Sequence, residues 1–183
     1  MLSPAEVSRF LAATPTLKYR TAFTIAYAAG LRVSELAVLK VSDIDSQRMV
    51  IRVAQGKGRK DRYVMLSPKV LPLLRAYWKA ARPREWLFPG QVPGEPLNVK
   101  SFQRACVVTR QAAGLTKNVT IHTLRHSFAT HLLESGANVR AIQLLLGHRS
   151  LATTALYMQV SPQVFGALAS PFDQLPSLPD ATV

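Results

Sequence analysis

One stretch limits the fold more than any other: residues 120–157, TIHTLRHSFATHLLESGANVRAIQLLLGHRSLATTALY. Ile121, Leu124, Phe128 and Leu132 recur at helical spacing and predict an amphipathic helix. Asn138 is placed to cap a second helix, with Val139, Ile142, Leu145 and Leu146 facing inward and Gly147 as its C-terminal cap. Ser150 can cap a third, ending near Tyr157. Helices joined by so few residues must bury their apolar stripes in one shared core. The same stretch holds all four histidines: His122, His126, His131 and His148.

The rest of the chain reads as further helices around a small sheet. Ser3, Pro4 and Glu6 open a helix over residues 3–13 with a capping box. Leu17 to Ala29 is a largely apolar, buried helix that Gly30 stops, and another begins at Leu31–Leu36 with Val33, Leu36 and Val38 or Leu39 inward. Asp43 and Asp45 mark a turn. Residues 49–54 and 62–66 are rich in β-formers and flank QGKGRKD, which predicts a β-hairpin or two strands of one sheet. A helix from Ser67-Pro68 to Ala81, a Pro/Gly-rich connector with an extended piece at Trp86–Phe88, and a helix capped by Asn98 running to Ala113 follow. Beyond Tyr157, a last helix over Pro162–Ala169 precedes a Pro-rich tail, expected to be loose. The fold class is therefore mostly α with a small antiparallel β-sheet (α+β), as one domain over residues 1–170 with a flexible tail at 171–183.

Charge narrows the function. The chain has 23 Lys+Arg against 10 Asp+Glu, a net +13, and such a balance points to a polyanion, usually nucleic acid. No apolar run approaches the ~20 residues that span a bilayer. A single cysteine, Cys106, excludes an internal disulfide framework.

His122 and Arg125 are one helical turn apart and point the same way, at the edge of the apolar stripe. Arg125 offers a planar donor fork suited to phosphate oxygens. His148 follows a glycine in a turn, and Tyr157 lies nine residues on. A tyrosine with its ordinary pKa of about 10 attacks a phosphodiester only if cations and hydrogen-bond donors stabilise both the phenolate and the pentavalent phosphorus. No acidic cluster is spaced to hold Mg²⁺, so such a site relies on Arg, Lys and His. Arg32 after Gly30, and Lys57 between Gly56 and Gly58, are the upstream cations.

Each residue alone also has an ordinary reading. A helix-start arginine is by default solvated, Gly-Lys-Gly is commonly a plain hairpin turn, and a tyrosine is commonly a core or rim aromatic. His122 and His126 have the i,i+4 spacing of zinc-binding helices, but Thr123 stands where Glu is needed and no third ligand follows. His126 and His131 read as scaffold, hydrogen-bonded within the helix packing.

Taken together, Ala29-Gly30-Leu31-Arg32-Val33-Ser34-Glu35-Leu36, Gly56-Lys57-Gly58, His122-Thr123-Leu124-Arg125-His126, Leu146-Gly147-His148 and Tyr157 resemble the tyrosine recombinase (phage integrase) family in order and spacing. The resemblance covers about residues 2–165 and leans toward bacterial chromosome-dimer-resolving recombinases and transposon-encoded integrases. It implies the catalytic-domain fold of that family and a site-specific recombinase that cuts and rejoins DNA without metal, ATP or other cofactor. Tyr157 would attack the scissile phosphate to form a 3′-phosphotyrosine. Arg32 and Arg125 would clamp the non-bridging oxygens, Lys57 would protonate the leaving 5′-oxygen, His122 would assist proton transfer, and His148 would hydrogen-bond the phosphate. Glu35 would be a supporting residue.

The implied partners are double-stranded DNA and other copies of the chain, as a tetramer on DNA joined through the C-terminal helix, in the bacterial cytoplasm at the nucleoid. Members of the family usually carry an N-terminal DNA-clamping domain, which this sequence is expected to lack, and that predicts weak, poorly sequence-specific binding. Val164, Phe165, Leu168 and Phe172 could dock in a neighbour or fold back in cis. Type IB topoisomerase-like relaxation and a non-cutting DNA-binding accessory role are the alternatives. An intact set of Arg32, Lys57, His122, Arg125, His148 and Tyr157 argues against the last.

Overall fold

Thr16 and Gly30 frame the helix on which the rest is assembled. In the computed structural model, which describes residues 1–54, 61–147 and 169–176, Thr16 Oγ1 accepts the amide of Tyr19 and starts α2 (Leu17–Ala29). Gly30, in the left-handed region at φ 63°, ends it. Every residue from Arg20 to Ala29 is buried, because neighbours cover α2 on all sides. These are α1 (Pro4–Ala12), α3 (Val33–Ala37), α4 (Val70–Ala81), α6 (Ile121–Glu134) and the C-terminal segment. The Ser3–Glu6 capping box forms as expected, with Glu6 taking the Ser3 amide at 2.7 Å and Ser3 Oγ taking the Glu6 amide at 3.2 Å.

The sheet has three strands, β1 (Ile44–Asp45), β2 (Val50–Val53) and β3 (Arg62–Met65), antiparallel in that order. Ile51 faces Val64 and Val53 faces Arg62 across β2 and β3. The two longer strands were expected; β1 was not, since two residues have no period of their own and exist as a strand only through pairing with Ile51 and Val50. Among the described residues there are also α5 (Val99–Ala112), α7 (Val139–Leu146) and a 3₁₀ turn at Val41–Asp43. The chain is mostly helical with a small antiparallel sheet, as its sequence predicts.

The helix α6 buries Ile121, Leu124, Phe128 and Leu132 as the periodicity requires. Side-chain bonds also tie it to α2 and to the N-terminus. Tyr27 of α2 shares a hydrogen bond with Nδ1 of the buried His131 at 2.9 Å, and the Leu2 amide donates to Ser127 Oγ at 2.9 Å. Burial lowers the His131 pKa and favours its neutral ring.

Three expectations need correction. Val139 is exposed rather than inward, because it occupies the first turn of α7, whose buried stripe is Ile142, Leu145 and Leu146. His126 is exposed, on the outer face of α6, and is not part of the packing. The tail is not loose from residue 171. A 3₁₀ turn at Pro171–Gln174 buries Phe172 and Leu175 against the fold. Ser170 Oγ donates to the Ala28 carbonyl at 2.8 Å, Ser67 Oγ bonds Asp173, and Lys69 Nζ donates to the Leu175 carbonyl at 3.1 Å. Two apolar side chains with polar anchors on either side give this segment enough contact to order. The helices expected from Ser150 to Tyr157 and from Pro162 onward fall outside the described residues.

Candidate active site

The site is built on a capping glutamate. Glu35 occupies the third position of α3, from which its carboxylate reaches back to accept the Arg32 amide at 2.8 Å. The same carboxylate gathers guanidinium groups from three parts of the chain. Arg32 Nη1 donates to Oε1 at 2.9 Å. Arg62, from the start of β3, forks onto both oxygens at 2.7 and 2.9 Å. Arg125 Nη1, from α6, stands 3.8 Å from Oε2. Burial alone would raise the Glu35 pKa, but Arg62, by hydrogen bonds and charge, and Arg32 more than offset this and hold it at about 2.

Arg125 is 6% exposed, and its fork is aimed by backbone. Nη1 donates to the Gly30 carbonyl and Nη2 to the Leu146 carbonyl, both at 2.6 Å. These acceptors are the C-terminal ends of α2 and α7, where carbonyls lack helical partners and the helix dipole favours a cation. Gly147, at φ 64°, ends α7 in the left-handed conformation and leaves the Leu146 carbonyl for Arg125. Desolvation, and then the charge of Arg32, bring the Arg125 pKa down to about 10, so it remains cationic at neutral pH. Gly30 admits no side chain: a Cβ there would lie 2.5 Å from Phe128 Cδ1. The glycine thus serves both the turn and the close approach of α6 that brings Arg125 in.

Among the residues predicted from sequence, Arg32 and Arg125 converge on Glu35. Arg32 is the solvent-facing member, with 42% of its side chain exposed. His122 is exposed one turn before Arg125 on α6. Lys57 belongs to the connection between the paired strands β2 and β3, and His148 follows Gly147; these two and Tyr157 lie outside the described residues. Sequence reasoning missed Arg62. The signal was present in the alternation of β3, where Arg62 and Val64 share the buried face while Tyr63 points outward. Among the described residues no three His, Cys, Asp or Glu side chains cluster as metal ligands, and no helix is long and apolar enough to cross a membrane.

The arrangement offers two cationic forks beside one carboxylate, one buried and one open to solvent, a geometry suited to a tetrahedral oxyanion. Comparison with known proteins places the chain in a family. The model of the phage integrase family matches residues 1–163. A Sinorhizobium fredii protein carrying an integrase/recombinase name is 57% identical over 176 residues, covering 96% of this chain and 57% of that protein. The tyrosine recombinase XerD of Pseudomonas aeruginosa is 38% identical over 172 residues, covering 87% of this chain and 57% of XerD. Among solved structures, the XerH site-specific recombinase bound to its difH substrate superposes with a TM-score of 0.71 at 29% identity, over 86% of this chain and 49% of XerH. The chain spans roughly half to three fifths of the length of these proteins.

Proposed function

Since the chain belongs to the phage integrase family, we propose that it is the catalytic part of a site-specific DNA recombinase, breaking and rejoining strands through a covalent 3′-phosphotyrosine. The observation that carries the reading is the pair of Arg32, bonded to Glu35, and Arg125, fixed by the Gly30 and Leu146 carbonyls 3.8 Å from the same carboxylate, beside the turn that leads to His148. Tyr157 Oη attacks the scissile phosphorus, and the bond to the 5′-oxygen breaks. Lys57 gives that oxygen its proton, and His122 assists proton transfer with the nucleophile. Arg32 and Arg125 neutralise the non-bridging oxygens, with His148 as a further donor. Each donor aimed at such developing charge is worth about 3–4 kcal/mol of barrier. Attack by the freed 5′-hydroxyl of another strand reverses the step, and the phosphodiester energy is conserved in the tyrosyl ester.

The partner is double-stranded DNA, supported by the net charge of +13 and by the recombinase–substrate complex among the structural relatives. We assign residues 1–170 to the catalytic unit, acting on DNA as an oligomer in the bacterial cytoplasm, at the nucleoid. The recombinase names of the relatives weigh against a topoisomerase-like role.

The test is a nicked suicide duplex resolved on a denaturing gel. Wild type gives a covalent protein–DNA band, and Tyr157→Phe gives none. Binding without a band on any duplex refutes the cutting function.

A further inference from the structure

Arg62 has no part in the chemistry above, yet it is the most deeply buried arginine of the cluster, at 2% exposure. A charge is removed from water at such depth only against a partner. Its Nε donates to the Leu145 carbonyl at 3.0 Å, and Nη1 and Nη2 take the two Glu35 oxygens. With these donors committed and the side chain closed off from solvent, Arg62 does not reach a phosphate.

A charge count shows what it can do instead. Arg32, Arg62 and Arg125 bring three positive charges to one negative Glu35. Without Arg62 the carboxylate would face Arg32 and Arg125 alone and cancel one of the two charges that a phosphate needs. Without Glu35, Arg32 would lose the acceptor that orients it. The cluster therefore contains both an orienting anion and a cation that neutralises it.

We propose that Arg62 is a positioning residue: it balances Glu35, so that Glu35 holds Arg32 and stands beside Arg125 without cancelling the charge those two present to a phosphate. Through Leu145 it also ties the start of β3 to the last turn of α7, one residue before the Leu146 carbonyl that Arg125 uses. This rests on the recombinase reading for the identity of the phosphate as DNA.

The experiment compares wild type, Arg62→Gln, Arg62→Lys and the double variant Glu35→Gln/Arg62→Gln. Single-turnover cleavage of the suicide duplex is read beside duplex binding by fluorescence anisotropy across a salt series, with thermal melting to confirm folding. Arg62→Gln is expected to cut at least about tenfold more slowly, the loss of about one charge-stabilising interaction. Arg62→Lys, which keeps the charge, stays within about threefold of wild type if charge balance is the role. The double variant removes both opposite charges together, while the amide oxygen of glutamine still offers Arg32 an acceptor, so it regains most of the lost rate. A purely structural role predicts the reverse, with the double no faster than Arg62→Gln and Arg62→Lys impaired; that result overturns the proposal, as does wild-type cutting by Arg62→Gln. If Arg62→Gln does not fold, the lysine and double variants decide by the same criteria.

A wild-type chain that forms no adduct defeats the cutting function, not the charge argument. The binding arm then judges the latter: Arg62→Gln should lower the slope of log affinity against log salt by about one, and the double variant should restore it. An unchanged slope overturns the proposal.

Discussion

Gly30→Ala should be among the most damaging single-methyl additions to this protein. The backbone there sits at φ 63°, where an L-residue with a Cβ is strained by about 1–2 kcal/mol. The new methyl would also lie 2.5 and 2.7 Å from two ring carbons of Phe128 and 3.2 Å from Leu146 Cδ2. Phe128 is fully buried, so its ring cannot swing aside, and overpacking of this kind costs about 1–3 kcal/mol more. The total is about 2–5 kcal/mol, or roughly 10 °C in melting temperature at its middle for a chain of this size. Gly114 is the internal control: it has φ 61° and nothing within 4 Å of the added Cβ, so Gly114→Ala should cost only the conformational part, about 1–2 kcal/mol. Urea unfolding followed by far-UV circular dichroism measures both. If the two variants agree within about 0.5 kcal/mol, the clash with Phe128 is not rigid and the close-approach argument fails. Because the Gly30 carbonyl also receives Arg125, suicide-duplex cleavage should fall with stability in Gly30→Ala and stay near wild type in Gly114→Ala.

Other substitutions probe the remaining links. Arg125→Lys keeps the charge but cannot fork to the Gly30 and Leu146 carbonyls; each charged hydrogen bond is worth about 2 kcal/mol, and covalent adduct formation should drop by at least ~100-fold, a result that near-wild-type cutting would contradict. Glu35 has a folded pKa of about 2 against an ordinary 4.5, so its stabilisation is complete above about pH 4.5 and drains away as pH falls toward 2. Allowing for solvent screening, about 2 kcal/mol should be lost over that window, and the acid limb of stability against pH should be shallower in Glu35→Gln. Phe172→Ala should cost about 3 kcal/mol by chemical denaturation, and a loss under about 1 kcal/mol would show that the C-terminal segment does not dock as described.

What could be read in the sequence follows from where the information lies. Caps and periods are local, so the apolar run ending at Gly30, the Asn98 cap and Asn138–Gly147 placed their helices almost to the residue. β1 and the docked Pro171–Gln174 turn take their order from distant partners, and no window around them holds that information. The site divides in the same way. Arg32 and Arg125 stand in recognisable blocks, but their convergence on Glu35 joins α3 to α6. Arg62 was overlooked because a charged residue at a strand start reads as surface. Only the inward register it shares with Val64, together with the free side of Glu35, makes it an interior cation.

The docked C-terminal segment sets a condition on the part of the chain in which we propose the nucleophile lies. Gly147 is fixed at one end, beside the carbonyl held by Arg125, and Ser170 is fixed at the other by its bond to Ala28. Residues 148–168, which include His148 and Tyr157, therefore run between two points anchored to the same core. Ten residues of extended chain keep Tyr157 within about 35 Å of Gly147. For the chain beyond Gly147 to reach a neighbouring copy with a free end, Ser170–Leu175 would first have to leave Ala28, Ser67 and Lys69.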